Sequence, residues 1–253
     1  MLSAIRGHMK RAILILALLL TGISALAAPK TDPQKLSITS QGKARTYYLF
    51  VPSEGTVPKP LILLLHGSGR NGMSLIDPWK GLAEKEGIIL VAPDSLNSQE
   101  WAFPVDGPDF LHEVVETVRA KYPVDGKRIY LFGHSAGAVF SLYTGVSESK
   151  YFAAVAVHAG AIRGDFDQYM EHAERKTPIA IWVGNKDPFF SLEAVHATRD
   201  ALAAHGFKPK ITEMPGHDHN YYGVANDVNK AVWDFLKTQQ LEDDPEWEEY
   251  KTR

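Results

Sequence analysis

The chain of 253 residues contains no cysteine, and that absence removes disulfide scaffolds, thiolate metal sites and a cysteine nucleophile together. Any nucleophile is then a serine, a threonine, a lysine or a carboxylate. Positive charge is not in excess either. With 27 Lys and Arg against 30 Asp and Glu, the formal net charge is −3, and nothing steers the surface toward nucleic acid. There is no repeat period and no low-complexity tract, and the 20 Gly and 15 Pro are spread along the chain, which argues against a solenoid or a long linker. At 45% hydrophobic and 23% charged residues, the composition is that of a globular domain with one core.

Long apolar runs are confined to the first thirty residues. The run Ala12–Leu20 follows the bases Arg6, Lys10 and Arg11 and precedes small residues ending in Ala25-Leu26-Ala27, the layout of an export signal. Residues 1–27 are therefore read as a signal peptide, with Met9 as an alternative start, and the protein as exported, periplasmic or secreted. The alternative is an uncleaved anchor, but the run falls short of the ~20 apolar residues that a membrane span needs. Once the signal is removed no stable membrane anchor is expected, and the net charge becomes about −6 because residues 1–27 hold three bases and no acid. Residues 28–241 are read as one folded domain. Residues 242–253, with six acids and two bases, are read as a solvated acidic tail.

From Leu36 onward short apolar runs alternate with amphipathic stretches, the order of a mostly parallel sheet covered by helices on both faces. Eight strands are predicted: Leu36–Thr39 and Arg45–Val51 as edge strands, then Leu61–Leu65, Ile88–Val91, Ile129–Phe132, Ala153–Val157, Ile179–Val183 and Ile211–Glu213. Helical spacing marks Phe110–Tyr122, Leu192–His205 and Val224–Lys237. Right-handed crossovers place the functional loops at the carboxyl ends of the strands, and the short connections leave no room for a sizeable lid.

Strand Ile129–Phe132 runs directly into Gly133-His134-Ser135-Ala136-Gly137 and then into the helix-compatible Ala138–Thr144. A G-x-S-x-G pentapeptide alone recurs by chance in roughly one protein in ten of this length, given Gly and Ser near 7% each. Between a strand and a helix it has a mechanical reason. The sharp turn strains the serine backbone and lifts its hydroxyl above the sheet, and the glycines stand where a Cβ would collide. A serine needs a base, and the base needs a carboxylate to hold its tautomer. Downstream, strand Ile179–Val183 ends in Gly184-Asn185-Lys186-Asp187-Pro188, and Ile211–Glu213 leads to Pro215-Gly216-His217-Asp218-His219-Asn220-Tyr221-Tyr222. Asp187 is the candidate acid, although Asp before Pro is also ordinary turn chemistry. His219 is favoured as base for its deeper place in the loop, with His217 the alternative. A shared metal on His217 and His219 lacks a third ligand, so neither metal nor cofactor is expected.

Strand Leu61–Leu65 ends in the glycine loop His66-Gly67-Ser68-Gly69-Arg70-Asn71-Gly72. The amides of Ser68 and Ala136 are the candidate oxyanion donors, while Arg70 and Asn71 face either substrate or solvent. Trp101, Phe103, Phe189, Phe190 and Tyr221 sit near strand ends, where they line a pocket or pack the core.

These features make the chain resemble the α/β-hydrolase esterases, the group of polyhydroxybutyrate depolymerases, feruloyl and acetylxylan esterases, S-formylglutathione hydrolases and dienelactone-hydrolase-like enzymes, over about Lys43 to Leu236. The stretch DFLHEVVETVRAKYPVDGKRIYLFGHSAG resembles the depolymerase and feruloyl esterase pattern of helix, Tyr-x-Val-Asp, strand and elbow. The ending GHDHNYY resembles the Asp-His-Ser-Tyr-Tyr of S-formylglutathione hydrolases, which implies His219, whereas feruloyl esterases set histidine before an Asp and an aromatic, which implies His217. The resemblance implies an eight-stranded α/β-hydrolase fold without a lid domain, and cleavage of a small, aryl or oligomeric ester through Ser135, a histidine and Asp187. A peptidase or acyltransferase with the same triad, or a silent binding protein, is the alternative. The missing cysteines and the lack of a binding module depart from secreted depolymerases. Oligomeric state is left open.

Overall fold

The computed structural model describes residues 32–162 and 166–248; the predicted signal peptide at 1–27 lies outside them. Eight strands form one sheet: β1 (Gln34–Ser40), β2 (Lys43–Phe50), β3 (Lys59–Leu65), β4 (Ile89–Pro93), β5 (Val124–His134), β6 (Ala154–His158), β7 (Ile179–Gly184) and β8 (Lys210–Met214). Their order is β1-β2-β4-β3-β5-β6-β7-β8. The strands from β3 onward run parallel, and β2 joins antiparallel to both β1 and β4. All eight predicted strands are present, but β2 is not an edge strand. It is interior, because β4 pairs with its free side.

The continuous apolar runs have the expected cause. Alternate side chains of a strand point to opposite faces, so Leu61, Leu63 and Leu65 enter one hydrophobic layer while Ile62 and Leu64 enter the other. The first layer is covered by helices α2 (Pro108–Arg119), α3 (Ala136–Ser147), α4 (Asp167–His172) and α5 (Leu192–Ala204), the second by α1 (Met73–Glu86) and α6 (Ala225–Leu236). Among the described residues no helix is long and apolar enough to cross a membrane.

In residues 242–248 the acids Glu242, Asp243, Asp244 and Glu246 are exposed, as their charge suggests, but the segment is tied to the domain. Lys127 Nζ donates to Glu242 O at 2.6 Å, the Glu246 amide to Lys150 O at 3.3 Å, and the Glu248 amide to Glu148 Oε2 at 2.8 Å. Trp247 stacks on His112 with ring centroids 4.3 Å apart. A charge count does not register the half-buried Trp247, whose ring packs on His112 and Tyr151.

Candidate active site

Strand β5 ends at His134 and α3 begins at Ala136, leaving Ser135 alone to make the turn with φ 57° and ψ −118°. A positive φ at a non-glycine residue costs ~1–3 kcal/mol and persists only where the surroundings enforce it. Here they do. A Cβ at Gly133 would stand 2.2 Å from Gly137 O, and one at Gly137 2.0 Å from Leu65 O, so the elbow admits only glycine at both places. The Ser135 amide donates to His158 O at 3.1 Å.

The loops after β7 and β8 bring the other two groups in. His219 Nδ1 lies 2.8 Å from Asp187 Oδ2, and His219 Nε2 lies 2.9 Å from Ser135 Oγ. The Asp187 side chain has no exposed surface, and its second oxygen accepts the amides of Phe189 at 2.8 Å and Phe190 at 3.0 Å. A carboxylate held by these donors accepts a hydrogen bond from His219 Nδ1–H, which fixes the proton on Nδ1 and leaves Nε2 as acceptor for the serine hydroxyl. His217 turns the other way, with Nε2 3.0 Å from His158 Nε2. Of the two histidines the sequence leaves open, His219 is the one that meets the serine. The paired rings therefore do not share one centre, and among the described residues no group of three or more His, Asp or Glu is placed to hold one ion.

The loop after β3 lies against the elbow. A Cβ at Gly67 would be 3.3 Å from Ser135 Cβ. Ser68 and Ala136 both line the cavity, and neither amide donates to an acceptor among the described residues. The loop is braced from behind. The Ser95 amide donates to His66 Nε2 at 3.2 Å, Trp101 Nε1 donates to His66 O at 2.9 Å, and the Gly69 amide to Ser98 O at 2.7 Å. Burial holds the His66 imidazole below its ordinary range, which keeps Nε2 free to accept. The bracing segment is itself tied down by buried Asp106, which accepts the Arg45 guanidinium and the amides of Leu96 and Ala102.

A cavity of about 610 Å³ opens over the serine. Its apolar wall is Val139, Pro188, Phe189, Phe190 and Tyr222, with Arg70 at the rim above the Tyr222 ring. Three of the five expected aromatics lie elsewhere. Trp101 braces His66, Phe103 packs on Phe140 outside the cavity, and Tyr221 is buried with its hydroxyl on Asn229 Oδ1. The tight turn Tyr221–Gly223 sends the first tyrosine into the core and the second to the cavity. Asn71 faces neither substrate nor bulk solvent alone: its Oδ1 accepts the Ser74 amide at the start of α1.

Two histidines that the sequence reading passed over, His134 and His158, lie beside the site, 5% and 0% exposed. Burial, reinforced by the neighbouring imidazole of His219, pulls His134 down to about 3. Burial, with His134 and His217 adding to it, pulls His158 down to about 2. The residue between Gly133 and Ser135 is a signal that was available for the first; for the second there was only its place at the end of a strand.

The phospholipase/carboxylesterase family matches residues 108–238, just over half of the chain, from α2 through the elbow and both loops to the end of α6. The chain belongs to this family. This phospholipase/carboxylesterase member is also similar, at 27% identity over 124 residues, to the bifunctional acetylxylan esterase/xylanase of Neocallimastix patriciarum. That match covers 47% of this chain and 18% of the relative, so the chain spans about a fifth of the relative's length. Among solved structures it resembles a thermostable carboxyl esterase of Bacillus coagulans, with TM-score 0.69 and 15% identity over 83% of this chain and 99% of that one. It also resembles an S-formylglutathione hydrolase of Staphylococcus aureus, with TM-score 0.67 and 14% identity over 81% of this chain and all of the other. At such identities the likeness concerns the fold, which is that of the α/β-hydrolases.

Proposed function

We propose that the protein is an exported serine hydrolase that cleaves carboxylic esters through an acyl-enzyme, with Ser135 as nucleophile, His219 as base and Asp187 as its orienting acid. The observation that carries this reading is the unbroken line Asp187 Oδ2, His219, Ser135 Oγ, with contacts of 2.8 and 2.9 Å, ending on a serine held at positive φ. Ser135 Oγ attacks the ester carbonyl and its proton passes to His219 Nε2. The Ser68 and Ala136 amides, which meet no acceptor among the described residues, receive the developing oxyanion. His219 then gives the proton to the departing alkoxide, and a water, activated in the same way, frees the acid.

The size and aromatic wall of the cavity suit a small acyl or aryl ester, or the end of a short oligomer, better than a long lipid chain. The acetylxylan esterase activity in the relative's name agrees with a short acyl group. The export half of the proposal rests on residues 1–27 and is tested by the amino terminus of the mature chain, expected at Ala28.

The enzymatic half is tested with acetyl, butyryl, octanoyl and feruloyl esters and a fluorophosphonate label. The wild type is expected to hydrolyse the shorter or aryl esters and take the label. Ser135→Ala is expected to lose at least ~10³-fold in kcat/KM at unchanged Tm. Turnover undiminished in that variant sinks the assignment, and a peptide substrate preferred over esters turns it toward the peptidase alternative.

A further inference from the structure

Three imidazoles stand in line, from His134 at the cavity wall to His158 and His217 behind it, and none has a part in the steps above. His134 Nδ1 lies 3.1 Å from His158 Nδ1, and His158 Nε2 lies 3.0 Å from His217 Nε2. The line joins the ends of β5 and β6 to the loop after β8. It passes over the end of β7, which is open because Gly184 has no side chain: a Cβ there would stand 2.2 Å from His217 O. A neutral imidazole has one N–H and one acceptor nitrogen. His158, kept neutral by burial, therefore donates to one neighbour and accepts from the other, which ties its ring orientation to both.

His158 is the hub. Its carbonyl accepts the Ser135 amide, and its ring links His134, whose own ring lies 5.0 Å from that of His219, to His217, two residues before His219. Among the described residues, the other ties of this loop go to the segment after β7, where the Lys186 amide donates to His217 O, the Gly216 amide to Asn185 Oδ1 and His219 Nδ1 to Asp187, and, at its far end, through Tyr221 and Tyr222 to Asn229 and Ser74 on the opposite layer. Among the described residues, the hydrogen bonds from side chains of residues 215–220 to β5, β6 and the elbow are those of His217 and His219 themselves. Burial supports the arrangement, since His134 and His158 stay neutral among the groups that face them, His217, His219, Asp187 and Arg70.

We propose that His158 and His217 are positioning residues: the His134–His158–His217 line fixes the loop that carries His219 at its working distance from Ser135 Oγ. This rests on the catalytic reading of Ser135 and His219. Each positioning ring acts through another, so its removal lowers the rate of attack rather than the affinity for substrate.

The test uses His158→Phe, which keeps the ring volume and removes both nitrogens, His217→Ala on the loop, the double variant, and His217→Gln, whose amide reaches where Nε2 was. Readouts are kcat and KM on p-nitrophenyl acetate, the rate of fluorophosphonate inactivation, and Tm. Each of the first two variants is expected to lose about tenfold in kcat and in inactivation rate, within the ~10²-fold that a 1 Å misplacement costs, with KM changed less than about twofold. The double variant is expected to lose no more than the worse single, because either change breaks the same line, and His217→Gln to recover most of kcat. If His158→Phe does not fold, His217→Ala against His217→Gln carries the test. A wild type that takes no label and cleaves no ester overturns the catalytic reading and this proposal with it. A labelled wild type whose His217→Ala variant labels at its own rate, or losses that multiply in the double variant, overturns the positioning role alone.

Discussion

Helix α3 joins two regions that bury titratable side chains in neutral form, and comparing them separates what function demands from what the fold tolerates. At its amino end lie His134 and His158, lowered by burial to about 3 and about 2. At its carboxyl end, twelve residues and ~18 Å along, lies Glu148, raised by burial to about 8, with the carboxylates of Glu248 and Asp109 adding to the rise. The cause is the same, since a low-dielectric interior disfavours the charged form of either type. The satisfaction differs. Each nitrogen of His158 has a partner, whereas Glu148 accepts one amide at Oε2 and leaves Oε1 buried without one. It also sits at the negative end of the helix dipole. The histidine end is wired into the site; the glutamate end fastens residues 242–248 to the domain.

The sharpest way to break this contrast is at the histidine end. His219→Ala is expected to lose ~10³-fold or more in kcat/KM, and His217→Ala about tenfold, although the two rings are two residues apart in one loop. Steady-state kinetics on one ester decides. Equal losses would mean that the histidines are not divided between chemistry and positioning.

Why the sequence leaves that division open is physical. Which of His217 and His219 meets the serine depends on where the end of β6 puts His158, a contact 59 residues away in the chain. The elbow needs no such knowledge. Strand, Gly133, Ser135, Gly137 and helix are contiguous, and their steric requirement is local, as is the Asp187 turn that offers its own oxygen to the amides of Phe189 and Phe190. The central strands β3, β4, β6 and β7 are legible for the same reason, each being a run of residues buried on two faces, while the half-exposed β1 and β8 show only as short apolar alternations. The interior place of β2, the turn that sends Tyr221 inward and Tyr222 outward, and the docking of Trp247 on His112 are long-range pairings, invisible to periodicity and charge counts.

Acid stability is the second point of contrast. The folded state keeps His134 and His158 neutral, while in the unfolded chain they titrate near 6.5. Below pH 6.5 the unfolded chain takes up protons that the fold refuses. Stability from these two groups is therefore present above 6.5 and lost as pH falls toward 3 and 2, by up to ~1.4 kcal/mol per group per pH unit. His66, also lowered by burial, adds the same sign. Urea unfolding of wild type and His158→Phe at pH 7 and pH 5 reads the effect, with the variant expected to lose less between the two. Identical losses would show that His158 is not neutral in the fold.

Glu148 acts in the opposite sense and by less. Its folded value of about 8 lies above its ordinary 4.5, so between these limits the fold holds a proton that the unfolded chain has lost. The stability involved is complete below pH 4.5 and disappears as pH rises to 8. Below pH 6.5 two histidine protons oppose one from Glu148 and stability climbs with pH; above it the carboxyl acts alone and stability declines, so these groups by themselves set an optimum near pH 6.5. Glu148→Gln keeps the shape and removes the alkaline decline. At pH 8.5 its Tm is expected about 2–4 °C above that of the wild type, with the difference gone at pH 4.5 and ester hydrolysis unaltered. Cleavage by a protease near Glu242–Asp244 is expected to quicken with rising pH in the wild type and not in the variant, because ionising Glu148 beside Glu248 loosens the segment it holds. Parallel stability curves for the two proteins from pH 5 to pH 8.5 would mean that this end of α3 carries its charge already, and the symmetry between the two ends would be lost.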